Sequence, residues 1–293
     1  MPEVKNTVVN FFGESITLDS AKFFFIFCPN NSGKTVLSQY LASQVDGYLP
    51  VYGNNEGQMA PNVKQMMRDG PWQKDRQFDW GYIRRCWESL AAEKMFVEAS
   101  PPNLIRTNCI QEVFGHDSTA IISICNPYQH VSSSVKRNYL DPINIQDVAQ
   151  SWLQKAEEII RIRETYAFFP LIPYEDFVVK PKIVNERLSV PFREVEIQGK
   201  MGSNISGIRS GFARAVGFLK PEDMIAIERA LYRAPDIMEY FSYDIDGLKT
   251  LKSTQEREPE EFMIGVETRE NWDRYPPDEA AASRLEYLSI SIG

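Results

Sequence analysis

Six apolar residues in a row, Phe23-Phe-Phe-Ile-Phe-Cys28, run straight into the polar turn Pro29-Asn-Asn-Ser-Gly33, and a helical pattern starts at Lys34-Thr35. So short and apolar a β-prone run reads as a strand buried on both faces. A helix that follows at once reads as the crossover to a parallel neighbour. The order strand, turn, helix N-terminus also makes an anion cradle, because free backbone N–H groups and the positive end of the helix dipole converge there. Lys34 adds a charge and Thr35 a hydroxyl. The pattern approaches G-x-x-x-x-G-K-[ST], with Cys28 where the first glycine would stand. It therefore points to a phosphate group more strongly than to ATP. The bland alternative is a strand–helix turn that merely holds Gly, Lys and Thr.

The rest of the chain repeats this alternation. Residues 7–18 read as a β-hairpin around Gly13-Glu14, and Thr35–Val45 as the helix after the first buried strand. Residues 46–62 read as a loop with one short strand, Leu49–Tyr52. The aromatic-rich stretch 71–95 reads as one or two helices. Its Trp72, Phe78, Trp80, Tyr82 and Trp87 suit helix-packing core better than an acceptor cleft. Met95–Glu98 reads as a strand, Pro102–Val113 as a helix and Ala120–Cys125 as a second buried strand. Asn126-Pro127 breaks that strand, and a helix continues to about Arg137. Asp147–Thr165 is an amphipathic helix with Val148, Trp152, Ala156, Ile159 and Ile160 on one face. Phe168–Pro173 reads as a strand, and Lys182–Leu188 as a helix. Pro221 opens a helix that runs to about Arg233, and Pro235 restarts it. Strands alternating with helices imply an α/β fold, a parallel sheet covered on both faces in three layers. The glycine- and serine-rich stretch 194–218 reads as a long functional loop.

Composition narrows the function classes. With 293 residues, 43% hydrophobic and 25% charged, the chain can bury a proper core. The reading is an α/β domain over 1–250 and an acidic extension over 251–293. From Thr254 onward ten acids and four bases give a net −6, which leaves −2 of the total −8 elsewhere. Such a chain is a poor general nucleic-acid binder. No apolar run approaches the ~18–20 residues of a membrane span, so no membrane partner is expected. Met-Pro-Glu-Val-Lys lacks the basic and apolar regions of a signal peptide, and Cys28, Cys86, Cys109 and Cys125 show no C-x-x-C spacing. Free thiols in a reducing, cytoplasmic setting are the expectation.

Five segments, in order, resemble the sulfotransferases that use 3′-phosphoadenosine-5′-phosphosulfate (PAPS). Pro29-Asn-Asn-Ser-Gly-Lys-Thr-Val-Leu37 resembles their 5′-phosphosulfate loop. Val51-Tyr-Gly-Asn-Asn-Glu56 resembles the stretch where several members place a catalytic glutamate. Val97-Glu-Ala-Ser-Pro-Pro-Asn103 resembles the Glu-Lys-Ser-Pro segment. Ile122-Ser-Ile-Cys-Asn-Pro-Tyr-Gln-His-Val-Ser-Ser133 resembles the 3′-phosphate motif, normally Arg-Asp-Pro with a serine eight residues after the arginine. Ile172-Pro-Tyr-Glu-Asp-Phe-Val-Val-Lys-Pro181 resembles Arg-Tyr-Glu-Asp-Leu-x-x-x-Pro. Phe218–Asp223 and Ile237–Tyr243 resemble the closing helices, so the likeness covers 22–244.

The resemblance implies a P-loop sulfotransferase-like fold and in-line transfer of a sulfuryl group from PAPS to a hydroxyl on a small molecule, carbohydrate or peptide, with no metal. It implies that Asn31, Ser32, Gly33, Lys34, Thr35 and Val36 hold the 5′-phosphosulfate. Lys34 would stabilise charge on the leaving oxygen, and Glu56 would act as general base, with Glu98 the second choice. On the 3′-phosphate side Cys125 replaces the arginine and Ser133 keeps the serine position. Losing such a charged hydrogen bond costs ~1.5–3 kcal/mol, or one to two decades in affinity. Arg137 or Lys136, or Arg209 or Arg214 from the glycine-rich loop, would have to compensate. Asn31 and Ala99 also stand where the family carries basic residues.

Two other readings stay open. Gly33-Lys34-Thr35 also suits a P-loop kinase or NTPase, with Thr35 on magnesium, although Ala120–Cys125 ends without an acid. The altered positions also suit a sulfotransferase fold retained for binding without catalysis. Tyr174-Glu175-Asp176 reads as structural, its carboxylates bracing a following turn. His130 reads as a helix-surface residue, and His116 as part of a polar turn. Acceptor and oligomeric state are not encoded in any motif.

Overall fold

The computed structural model describes residues 6–52, 54–67, 70–137, 143–191, 193 and 219–246. Side chains at 136, 137 and 221, the stretch 194–218 with Arg209 and Arg214, and the extension 251–293 lie outside the described residues.

The fold is α/β, a parallel four-stranded sheet with helices on both faces. Its strands are β3 (Phe23–Phe27), β4 (Phe96–Glu98), β5 (Ser118–Ile124) and β6 (Leu171–Pro173), in the order β4-β3-β5-β6. An antiparallel hairpin of β1 (Thr7–Val9) and β2 (Ser15–Thr17) pairs Val8 with Ile16. The register sets Phe25 beside Glu98 on one side and Ala120 on the other. From β3 the chain moves to one side of the sheet, and from β5 to the other. The topological switch therefore falls between β3 and β5, and the crevice beyond their carboxyl ends is where open α/β sheets bind ligands.

Every residue of β3 and β5 is buried. Strand alternation divides the core in two. Phe23, Phe25 and Phe27 face one way, onto Phe11, Trp87, Phe96 and Phe114. Phe24, Ile26 and Cys28 face the other way, onto Leu37, Tyr40 and Leu41 of helix α1 (Lys34–Val45). Phe78, Trp80 and Trp87 belong to the first core as the sequence suggested, with Trp87 stacked on Phe96 at 5.2 Å. Trp72 stays exposed.

Helices α2 (Pro61–Met67) and α3 (Trp80–Ala91) follow the loop after α1. Only one helix occupies 71–95, started by Asp79, whose carboxylate accepts from Tyr82 N at 2.8 Å. The expected strand Leu49–Tyr52 shrinks to a single bridge, Tyr48 to Phe96, because Pro50 cannot continue a ladder. The expected helix Pro102–Val113 is also broken. Pro101–Ile105 is a 3₁₀ turn, Arg106 leaves helical geometry at φ −131°, and α4 spans Thr107–Phe114. The Arg106 guanidinium turns instead to the carbonyls of Pro71, Gln73 and Arg76, each at 2.9 Å.

Helix α5 (Pro127–Arg137) packs on α6 (Ile145–Thr165). The buried stripe of α6 is Ala149, Trp152, Leu153, Ala156, Ile159 and Ile162. Val148 and Ile160 sit at its edge, so the stripe is rotated slightly from the sequence reading. Helices α7 (Tyr174–Val179), α8 (Ile183–Leu188), α9 (Pro221–Leu231) and α10 (Pro235–Tyr240) complete the described chain. Among the described residues no helix is long and apolar enough to cross a membrane.

Candidate active site at the carboxyl ends of β3 and β5

Two left-handed residues, Asn31 at φ 57° and Gly33 at φ 73°, fold the Pro29–Gly33 loop over the end of β3. At Gly33 only glycine fits, because a Cβ there would lie 1.9 Å from the Tyr174 ring. Ser32 is fully buried and donates to Pro29 O at 2.6 Å, so its hydroxyl braces the loop. No side chain among the described residues caps α1. The first backward bonds run from Val36 N and Leu37 N to Gly33 O, so the Lys34 and Thr35 N–H groups precede the helical ladder.

Lys34 and Glu56, proposed separately from sequence, meet here. Lys34 Nζ lies 2.5 Å from Glu56 Oε1 and donates to Asn54 O at 3.0 Å. The two side chains are 8% and 14% exposed, so the pair is shielded from water. Gln58 Nε2 donates to the other Glu56 oxygen at 2.5 Å. An ammonium at the mouth of a helix N-terminus therefore already holds a carboxylate.

Glu98, at the end of β4, lies behind that pair. Its Oε2 accepts from Gly57 N at 2.6 Å, and its Oε1 accepts from Ser100 N at 2.8 Å and Asn103 Nδ2 at 3.0 Å. It braces both the start of the Pro101 turn and the loop that carries Glu56. Three N–H donors suit a carboxylate, yet complete burial outweighs them and pushes its pKa up to about 7, helped by the nearby Glu56 charge.

That shift has a signed consequence. The unfolded carboxyl titrates near 4.5 and the folded one near 7. Between these values the native state holds a proton that the unfolded chain has lost. Stability from this group is thus full below pH 4.5 and declines as pH rises through 7, by about 3 kcal/mol in all. Urea unfolding of the wild type should show this fall. Glu98→Gln should flatten it, leaving the same-signed contribution of Glu175, whose pKa is also raised by burial.

At the end of β5 the structure departs from the sequence reading. Cys125 is buried, and its thiol donates to Asn31 O at 3.6 Å. Burial, and then the Glu175 charge, hold it well above the usual thiol range, so it stays neutral. Asn31 Nδ2 donates to Ser134 Oγ at 2.7 Å. Ser133 is half-buried one position away. His130, expected on a helix surface, is buried, because α5 packs against α6 and the Pro221–Leu231 helix. Glu175 braces the preceding turn and not the following one, accepting from Asn126 N at 2.7 Å and from the Tyr243 hydroxyl at 3.0 Å.

Sequence reasoning missed Lys155. Trp152 of α6 donates its indole N–H to Cys125 O at 2.9 Å. Lys155, one turn on, lies under Trp72 with its ammonium 5.2 Å from the ring and in the neighbourhood of Cys125. Burial lowers its pKa. The signal was present, since Lys155 interrupts the apolar stripe formed by Trp152, Ala156 and Ile159.

A parallel sheet with a left-handed glycine turn between β3 and α1 is the frame on which the chain can be compared with known proteins. A solved sulfotransferase domain from the Synechococcus PCC 7002 olefin synthase is similar at a TM-score of 0.45 and 16% identity, over 76% of this chain and 94% of that one. No protein-family model matches the chain, and no curated protein matches it. Among the described residues no group of three or more His, Cys, Asp or Glu side chains could hold a metal ion.

Proposed function

We propose that the protein binds PAPS in the β3–β5 crevice and transfers its sulfuryl group to a hydroxyl acceptor. The observation that carries this reading is the meeting of Lys34 and Glu56 at 2.5 Å beside an uncapped helix N-terminus. One group is suited to the charge of a leaving phosphate, the other to the proton of an attacking hydroxyl. The residues fit the 5′-phosphosulfate half of PAPS, where the Lys34 and Thr35 N–H groups and the Lys34 ammonium would hold it. They fit the 3′ half differently from the family pattern, since neutral Cys125 faces Asn31. In this reading Lys155 supplies the cation that Cys125 does not.

In the transfer the acceptor oxygen bonds to sulfur as the bond from sulfur to the 5′-phosphate oxygen breaks. The acceptor proton passes to Glu56, and Lys34 meets the charge left on the phosphate oxygen. Glu56 must leave Lys34 before it can take a proton, so donor and Glu56 compete for one ammonium. Glu56→Gln is therefore expected to bind 3′,5′-adenosine bisphosphate about tenfold more tightly, while transfer falls by about 10²-fold or more. Calorimetric titration reads the first effect, and product assay the second.

The same titration tests the whole reading. Micromolar binding of the bisphosphate, and not of ATP with magnesium, is expected. Binding of ATP with magnesium alone would move the protein to the kinase class, and binding of neither would leave a fold kept for another purpose. The second reading, binding without catalysis, is favoured by one observation, the neutral thiol of Cys125 at the arginine position.

A further inference from the structure

We infer that Glu98 is a positioning residue: it fixes the Asn54–Gln58 loop by its backbone, and through that loop it holds Glu56 on Lys34. The inference rests on the reading of Lys34 and Glu56 as the reacting pair.

Gly57 sits beside Glu56 and is gripped from two sides. Its N–H donates to Glu98 Oε2 at 2.6 Å, and its carbonyl accepts from Trp87 Nε1 at 3.2 Å. A Cβ on Gly57 would lie 2.3 Å from Glu98 Oε2 and 2.8 Å from the Trp87 ring. The next residue is held as well, with Gln58 N donating to Ser100 Oγ at 3.2 Å. Ser100 N in turn donates to Glu98. Glu98 and Trp87 are both fully buried in the packed core, so the grip is anchored to the sheet. Besides Lys34 itself, the side-chain partner of Glu56 among the described residues is Gln58, which lies inside the same loop. A buried acid held by three N–H donors, without a cation of its own, is a costly way to build a turn. Aiming a second carboxylate accounts for that cost.

Glu98 does not touch a reacting group in this arrangement, so it acts only through Glu56. That makes the prediction one of non-additivity. Lys34 enclosed by Glu56 resists acylation, and Lys34 released from Glu56 does not. The test is site-resolved acetylation of the full-length protein at pH 8, read by mass spectrometry. Glu56→Gln should raise Lys34 labelling by about tenfold, the effect of a local opening worth one decade. Glu98→Gln should raise it comparably, and the double variant should show no more than Glu56→Gln alone. Lys155 labelling should stay at the wild-type level, which separates this effect from general loosening. Gly57→Ala leaves every charge in place and should release Lys34 as well, so it carries the test if Glu98→Gln does not fold. Wild-type labelling of Lys34 in both Glu98→Gln and Gly57→Ala would overturn the inference, as would an effect of Glu98→Gln that adds to that of Glu56→Gln. Release of Lys34 by Glu98→Gln supports it whether or not the same proteins bind 3′,5′-adenosine bisphosphate. A wild type that fails to bind the bisphosphate counts against PAPS alone.

Discussion

Lys34→Ala should abolish measurable sulfuryl transfer, with a fall of about 10³-fold, or ~4 kcal/mol of transition-state stabilisation. The ammonium is the one charged donor that the described site offers to the leaving oxygen, and it lies where the α1 dipole adds to it. The single substitution also leaves Glu56 buried beside no cation. Breaking a buried pair from one side costs about 3–5 kcal/mol, so part of the loss could come from unfolding. The double variant Lys34→Met, Glu56→Gln separates the two effects. It should recover most of the thermal stability and none of the transfer. Turnover near the wild-type rate in Lys34→Ala would remove Lys34 from the chemistry.

Gly33→Ala should be the most destabilising single methyl in the described chain. A left-handed alanine costs about 1–2 kcal/mol by itself. Its Cβ would also stand 1.9 Å from the Tyr174 ring, which is packed and cannot swing away. A total of about 3 kcal/mol or more follows, a fall in melting temperature of roughly 10 °C for a chain of this size. Calorimetric melting checks it. Tyr174→Ala in the same chain should cost less than it does alone, because it removes the overlap. Strict additivity of the two would show that the loop had moved aside.

Where one local pattern decided an element, the sequence was enough to find it. The apolar runs read as strands at 23–28 and 120–125 became β3 (Phe23–Phe27) and β5 (Ser118–Ile124), the helix read over 35–45 is α1, and the α/β alternation follows from them. Lys34 and Glu56 were also named from sequence, one by a motif and the other by resemblance. Tertiary contacts decided the rest. Arg106 reads as a good helix former, yet three carbonyls from the 71–76 loop pull it out of the helix. Ser134, next to the serine counted on sequence, accepts from Asn31 across 103 positions of chain. Glu98 was named from sequence as the second choice of base, but its three donors come from Gly57, Ser100 and Asn103, the first of them 41 positions earlier. Lys155 lies thirty positions beyond Cys125, and only the packing of α6 brings them together.

The turn after α10 is stitched to the floor of the crevice. Tyr243 donates to Glu175, which also holds Asn126, and Tyr128 donates to Ile245 O. Ser242, the residue before Tyr243, faces solvent. These bonds join the end of β5 to a point on the outer surface. An environment-sensitive dye on a Ser242→Cys variant would then brighten or dim as the crevice fills. It would serve as an optical reporter for screening acceptors without a product assay.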